Sequence, residues 1–151
     1  MEPTPASPRT RFVRFGLVGL SGVVVNLAAL HLFAEVLGWH RILASALAIE
    51  VSIVSNFLLN NAWTFSDRNA GAAVSPIVRG ARYNLVALIG MGIQLAGFEA
   101  ANQAVLVATG TDDPGPFIYP AQIFGIALAM GWNFVSNLRW TWAQTEADSH
   151  D

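Results

Sequence analysis

Three ionisable side chains lie inside long apolar stretches of this sequence: His31, Glu50 and Glu99. A charged side chain at the centre of a lone membrane helix costs about 2.5–3.5 kcal/mol, so such residues usually have a partner or a function. All three lie roughly 9–12 Å along their helices from the same membrane face, at about 1.5 Å per residue. We therefore predict a cluster in which protonated His31 offsets one or both glutamates. The alternative is that a glutamate is simply protonated, because desolvation disfavours its charge.

Arginines stand at equivalent positions ahead of two apolar stretches, Arg11 and Arg14 before one and Arg79 and Arg82 before the other. Guanidinium groups bind phosphate through two parallel hydrogen bonds. Together with Arg139, which follows the last apolar stretch, these side chains are candidates to bind a phosphate at one end of the protein. In the competing interpretation they only fix the orientation of the helices and contact anionic lipid headgroups.

Small and amide side chains recur every four residues in two of the apolar stretches. The two stripes consist of Ala44, Ala48, Ser52, Asn56 and Asn60, and of Ala121, Gly125, Ala129, Asn133 and Asn137. Because such spacing lets helices approach closely and hydrogen-bond through asparagine, we predict that the second and fourth helices pack along these stripes. The alternative is that the four asparagines line a polar path, with Asn26 and Gln94 near its middle. Glu50 lies off the stripe, so it must face the first helix or a water-filled cleft.

Several classes of chemistry are excluded or unsupported by the sequence. There is no cysteine, which excludes disulfides and thiol catalysis, and the net charge of −2 does not suggest a nucleic-acid partner. Gly16, Gly19 and Gly22 lie in an apolar helix without a preceding strand, so they do not form a dinucleotide-binding motif. No nucleophile–base pair or metal-ligand cluster stands out. We predict that the protein is not an enzyme and needs neither a metal nor a cofactor.

The elements that carry these residues are membrane spans. Of 151 residues, 54% are hydrophobic and only 12% are charged. A helix needs about 20 apolar residues to cross a hydrocarbon core of about 30 Å. Stretches of that length cover residues 15–37, 42–61, 84–107 and 117–138. Backbone groups in lipid must bond within their own segment, so we predict an all-α integral membrane protein with four transmembrane helices.

The placement of arginine predicts the orientation of these helices. Seven arginines belong to one side of the membrane: Arg9, Arg11, Arg14, Arg68, Arg79, Arg82 and Arg139. The other side has only Arg41. By the positive-inside rule, we expect both termini in the cytoplasm and a multi-pass protein of the cytoplasmic membrane. The tryptophans of the two interfaces, among them Trp63 and Trp140, fit the aromatic belt at headgroup level.

The second half of the sequence repeats the first. Asn-Phe, then Asn, then Trp-Thr-aromatic occurs in residues 56–65 and again in residues 133–142. We divide the chain into a cytoplasmic tail (1–10), a first two-helix repeat (11–65), a cytoplasmic loop (66–78), a second repeat (79–142) and a second tail (143–151). Residues 1–8 and 143–151 are expected to be disordered. Because each repeat has two helices, we expect the symmetry axis to lie along the membrane normal.

These motifs resemble the GtrA-like family of small four-span bacterial membrane proteins, over roughly residues 11 to 142. The resemblance rests on the Arg-Phe entry at Arg14, on Asn26, and on the two Asn-Phe to Trp-Thr-aromatic segments. The sequence departs from the family pattern at Asn61, where an arginine is common. The resemblance implies that the protein moves a polyprenyl-phosphate-linked sugar across the membrane for cell-surface polysaccharide synthesis. It also implies a membrane glycosyltransferase as a partner.

Two other functions stay open at the level of sequence. One is a non-transporting scaffold that anchors the partner glycosyltransferase. The other is a proton-coupled exporter of the small multidrug-resistance type, with Glu50 as its proton site; the strong charge bias favours a single orientation and argues against this class. Four short helices enclose little volume, so a homodimer within the membrane lipid fits either reading.

Overall fold

Helices make up nearly all of the protein. The computed structural model describes residues 6–69, 72 and 74–144. Its long helices are α1 (Pro8–His31), α2 (Arg41–Leu59), α3 (Pro76–Thr109) and α4 (Ile118–Ser136). Within the described residues there is no β-strand, and a single β-bridge joins Ala72 to Gln144. Most of the two predicted disordered tails, residues 1–5 and 145–151, lies outside the described residues.

Each helix, taken with its flanking turns, is long and apolar enough to cross a membrane. The spans are Pro8–Val36, Arg41–Thr64, Pro76–Thr109 and Gly115–Thr141. Only 11–22% of the most apolar window of each span is buried inside the protein. The remaining apolar surface would be unstable in water, which identifies lipid as its surroundings. The predicted all-α membrane protein with four transmembrane helices is confirmed.

The first and third helices begin earlier than the apolar stretches predict. At α1, the side chain of Ser7 accepts a hydrogen bond from the backbone N–H of Thr10 at 3.2 Å, and Pro8 occupies the first turn. Both features favour a helix start at this point. The added turns carry Arg11 in α1 and Arg79 in α3. Because these turns are polar, the length of the apolar runs does not predict them.

Three helices end in a wide π-turn, which sequence reasoning did not anticipate. These turns are Leu32–Val36 after α1, Asn60–Thr64 after α2 and Asn137–Thr141 after α4. In the second of them, the backbone N–H of Phe65 donates to the carbonyl oxygen of Asn60 at 2.8 Å. The turns after α2 and α4 occupy equivalent positions in the two repeats. Such turns often occur at functional sites.

The chain forms two compact units, of which the first comprises residues 1–84 and 140–151. In this unit α1 packs along α2. The hydroxyl of Ser52 donates to the carbonyl oxygen of Gly22 at 2.9 Å. A Cβ atom added at Gly22 would lie less than 3.0 Å from the side-chain amide of Asn56, which is too close for an ordinary contact. The stripe of α2, which we predicted to pack against the fourth helix, therefore contacts α1 at these two positions.

The second unit, residues 85–139, repeats this arrangement. A Cβ atom added at Gly90 would lie below 3.0 Å from the amide of Asn133, as at the equivalent pair in the first unit. A Cβ atom added at Gly125 would lie equally close to the carbonyl oxygen of Gln94. The stripe of α4 therefore contacts α3. Small residues permit this approach, because helices in lipid associate through close packing and interhelical hydrogen bonds.

We expect Gly22→Ala to destabilise the protein by about 1–3 kcal/mol, because the added methyl group overlaps the Asn56 amide. The measurement is thermal unfolding of the purified protein in detergent. Gly19→Ala is the matched control, because no atom lies within 4 Å of a Cβ at Gly19. An equal effect of the two substitutions would contradict this account of the contact.

Candidate functional site

Two aromatic rings stack at the end of the protein that carries most of its arginines. We call this region the arginine end; it comprises the first turns of α1 and α3 and the segments that follow α2 and α4. The rings of Phe65 and Trp142 lie 4.3 Å apart between centroids at 18°, and both are 0% exposed. Phe15 meets Phe65 edge-on at 6.3 Å, and Tyr83 meets Trp142 edge-on at 5.9 Å. Each repeat thus contributes a matching aromatic pair.

Beside this stack, two arginines are each held by a tryptophan. Arg14 donates from Nη1 to the carbonyl oxygen of Trp63 at 3.2 Å, and its guanidinium lies 5.4 Å from the centre of that indole ring. Arg82 donates from Nη1 to the carbonyl oxygen of Trp140 at 2.9 Å, with its guanidinium 5.2 Å from that ring. The carbonyls at a helix end carry its negative dipole, and the ring face also attracts the cation.

These two Arg–Trp pairs leave donors available. Each half-buried guanidinium uses one nitrogen on a carbonyl oxygen, and no other hydrogen bond of Arg14 or Arg82 is found among the described residues. A planar guanidinium with free N–H groups in a fixed orientation can bind a phosphate through two hydrogen bonds. Sequence reasoning assigned Trp63 and Trp140 only to the aromatic belt. Their recurrence opposite matched arginines was the available signal for this contact.

The other matched arginines are buried against the loop that follows α2. Arg11 forms an ion pair with Asp67, and Arg79 donates from Nη1 to Oδ1 of Asn69 at 2.6 Å. Arg11 is 8% exposed and Arg79 is 4% exposed. Burial with an acceptor favours a structural role for these two arginines, which attach the loop to the starts of α1 and α3. Arg139, by contrast, is exposed.

Another arginine, Arg68, belongs to this loop and lies outside the spans. Arg68 donates from Nη1 to the carbonyl oxygen of Trp142 at 3.3 Å. Burial lowers the pKa of the Arg68 guanidinium, the positive charge of Arg11 lowers it further, and Asp67 opposes both effects. The arginine end therefore concentrates more positive than negative charge, which favours an anion nearby.

The asparagines predicted to line a polar path fall into two groups. Asn60 and Asn137 are each 1% exposed, and they begin the two equivalent π-turns. The amide of Asn60 donates to the hydroxyl of Tyr83 at 3.1 Å, and that of Asn137 donates to the carbonyl oxygen of Asn133 at 2.8 Å. Their burial favours a structural role. Asn56 and Asn133, and also Asn26 and Gln94, are half-buried inside the spans.

The three ionisable residues of the spans are all exposed at the surface of the chain. The carboxyl of Glu50 accepts a hydrogen bond from the amide of Asn84 at 2.7 Å. The carboxyl of Glu99 accepts one from Gln103 on the same helix at 2.8 Å. Among the described residues of the first unit, no ion pair joins His31 to Glu50. The predicted cluster of His31 with the two glutamates stays a prediction.

We expect Tyr83→Phe to destabilise the protein by about 1–3 kcal/mol, because it leaves the buried amide of Asn60 without its acceptor. Thermal unfolding in detergent measures the effect. Tyr119→Phe removes the same hydroxyl from a side chain that is 72% exposed, and it should change little. An unchanged melting temperature in Tyr83→Phe would show that the Tyr83 hydroxyl is not a stabilising acceptor for the Asn60 amide.

Comparison with known proteins agrees with these features. A dolichol-phosphate mannosyltransferase of Pyrococcus furiosus is 33% identical over 133 residues, which are 88% of this chain and 34% of the relative. The chain thus spans about a third of the length of that curated relative. The family described as GtrA/DPMS, transmembrane domain, matches residues 14–142, from the first Arg–Trp arginine to the stacked Trp142. The resemblance noted from the sequence is therefore confirmed, and the chain belongs to the GtrA/DPMS transmembrane-domain family.

Proposed function

We propose that this protein moves a polyprenyl-phosphate-linked sugar across the cytoplasmic membrane and takes no catalytic step itself. The observation that carries the proposal is the pair of guanidinium groups at the arginine end, each oriented by a tryptophan and each with free donors. A lipid phosphate at the headgroup level would meet Arg14 or Arg82 without the ordering of a flexible side chain. Membership of the GtrA/DPMS family supports a polyprenyl-phosphate sugar over the drug-like cations of a multidrug exporter.

The orientation and the route are part of this proposal. We place both termini and the arginine end in the cytoplasm, because the arginines are concentrated there. Arg14, Arg82 and the exposed Arg139 would bind the phosphate first. The sugar would then pass the half-buried amides of Asn56, Asn133, Asn26 and Gln94 and the ionisable side chains of His31, Glu50 and Glu99, while the polyprenyl tail stays in lipid. Hydrogen-bonding groups at successive depths would replace the hydration that the sugar loses.

A second candidate function is a membrane scaffold for a glycosyltransferase. It is favoured by the relative from Pyrococcus furiosus, which is named a mannosyltransferase and of which this chain matches only 34%. In this reading the described helices would hold a separate enzyme at the membrane, and the arginine end would hold the lipid phosphate within its reach.

For the transport function, the test is movement of a polyprenyl-phosphate mannose across liposomes that contain the purified protein. We expect the double variant Arg14→Gln/Arg82→Gln to lower the rate by about tenfold or more, because each side chain loses charge-assisted hydrogen bonds to the phosphate. Arg41→Gln is the matched control, because Arg41 is exposed at the start of α2, away from the arginine end. Single variants should show smaller losses, since the repeats provide two equivalent arginines.

The same liposomes separate the two functions. A wild-type protein that moves no lipid-linked sugar, while its deletion in cells releases a glycosyltransferase from the membrane, would support the scaffold instead. Loss of rate in Arg41→Gln equal to that in the double variant would show that the arginine end has no special role.

The proposed orientation has its own test. We expect a fluorescent protein fused after Gln144 to be bright, and alkaline phosphatase fused there to be inactive, because both termini face the cytoplasm. Active phosphatase at this position would place the arginine end outside the cell and overturn the proposed direction of phosphate capture.

A further inference from the structure

One polar contact in the first unit joins two membrane spans, one residue beyond Tyr83 of the aromatic stack. The amide of Asn84 on α3 donates to Oε1 of Glu50 on α2 at 2.7 Å. Glu50 is the tenth of 24 residues in the span Arg41–Thr64, and Asn84 is the ninth of 34 in Pro76–Thr109. Each residue thus lies about 12–14 Å along its helix from the first residue. We call this contact the Glu50–Asn84 pair.

The surroundings of this pair are apolar, and its remaining acceptors are open. Glu50 is exposed at the chain surface between Ile49, at 45% exposed, and Val51, at 41%. No hydrogen bond of Glu50 Oε2 or of Asn84 Oδ1 is found among the described residues. Polar groups that face hydrocarbon without a partner cost free energy. The open acceptors are therefore available to a polar ligand.

The internal repeat supplies an independent observation. At the positions equivalent to Glu50 and Asn84, the other repeat has Ala127 and Gly16. The Arg–Trp pairs and the glycine–asparagine contacts are duplicated, whereas this polar pair occurs once. The pair therefore breaks the pseudo-symmetry of the two repeats. Its single occurrence fits one ligand that is met on the side of the protein where α2 and α3 contact each other.

We propose that the Glu50–Asn84 pair binds the hydroxyl groups of the sugar as it passes through the membrane. This inference rests on the proposed function and names the site of the sugar, whereas Arg14 and Arg82 bind the phosphate. The open acceptors, Oε2 of Glu50 and Oδ1 of Asn84, can each accept a hydrogen bond from a hydroxyl group of a hexose. Asn84 follows Arg82 by two residues, so the pair is the next polar level along α3. The exposed aliphatic side chains beside Glu50, Ile49 and Val51, offer no hydrogen bond, so the polyprenyl tail would stay in the lipid around them.

The first test measures binding with the full-length protein in detergent. Thermal stabilisation is recorded with polyprenyl-phosphate mannose and with bare polyprenyl phosphate of equal length. We expect the wild type to be stabilised more by the mannosyl lipid, because binding to the native state raises its stability. Glu50→Gln and Asn84→Ala should lose this difference and keep the response to the bare phosphate. Glu35→Gln, a carboxyl-to-amide change outside the pair, should behave as wild type.

The second test measures transport of both lipids in liposomes. In Glu50→Gln we expect the rate for the mannosyl lipid to fall by about tenfold relative to that for bare polyprenyl phosphate, the effect of one lost hydrogen bond to the carboxyl group. Unliganded melting temperatures of all variants show whether they fold. Equal losses for both lipids, or a preserved difference in binding, would overturn the sugar site. So would dissociation of a dimer by Glu50→Gln, which would mean that a second copy covers the pair.

The two proposals can fail separately. If the wild type shows the mannose-dependent binding but moves neither lipid, the translocation function is wrong and the sugar site stands. If the wild type moves both lipids and Glu50→Gln moves them at the same ratio, translocation stands and the sugar site is wrong.

Discussion

The stacked rings of Phe65 and Trp142 are the contact on which the arginine end depends. Each ring comes from one repeat, directly after a π-turn, and neither has any exposed surface. Burial of two large rings fixes the chain just beyond each turn. That in turn fixes the nearby carbonyl groups of Trp63 and Trp140, which accept from Arg14 and Arg82. The orientation of both guanidinium groups is therefore a consequence of an apolar contact.

Lipid explains why so many contacts in this protein are close or polar. Lipid tails are as apolar as aliphatic side chains. Moving such a side chain from lipid to a contact between two helices therefore gains little free energy. Glycine positions such as Gly22 and Gly90 instead bring an asparagine against the facing backbone. Buried amides find partners such as the hydroxyl of Tyr83. The Glu50–Asn84 pair departs from this pattern because it is exposed, carries spare acceptors and occurs once.

Much of the fold could be predicted from the sequence, because it depends on local properties. Span length and the repeated Asn-Phe to Trp-Thr-aromatic motif are both readable along the chain. The partners of individual side chains were not predictable, because they depend on how each helix is rotated. The stripe containing Ser52 was expected to pack on the fourth helix, yet Ser52 donates to Gly22 of α1. Glu50 was expected to meet His31 or water, and its observed partner, Asn84, stood at the edge of a predicted span.

The aromatic stack shared by the two repeats also bears on the origin of the chain. A single two-helix repeat carries only one of the two rings, and so it cannot form the stack by itself. An ancestral hairpin could have completed it only with a second hairpin inserted in the same direction. Gene fusion would then have turned an association between two molecules, dependent on their concentration, into a permanent one. Once joined, the two hairpins no longer had to be identical, and they now differ at equivalent positions such as Glu50 and Ala127.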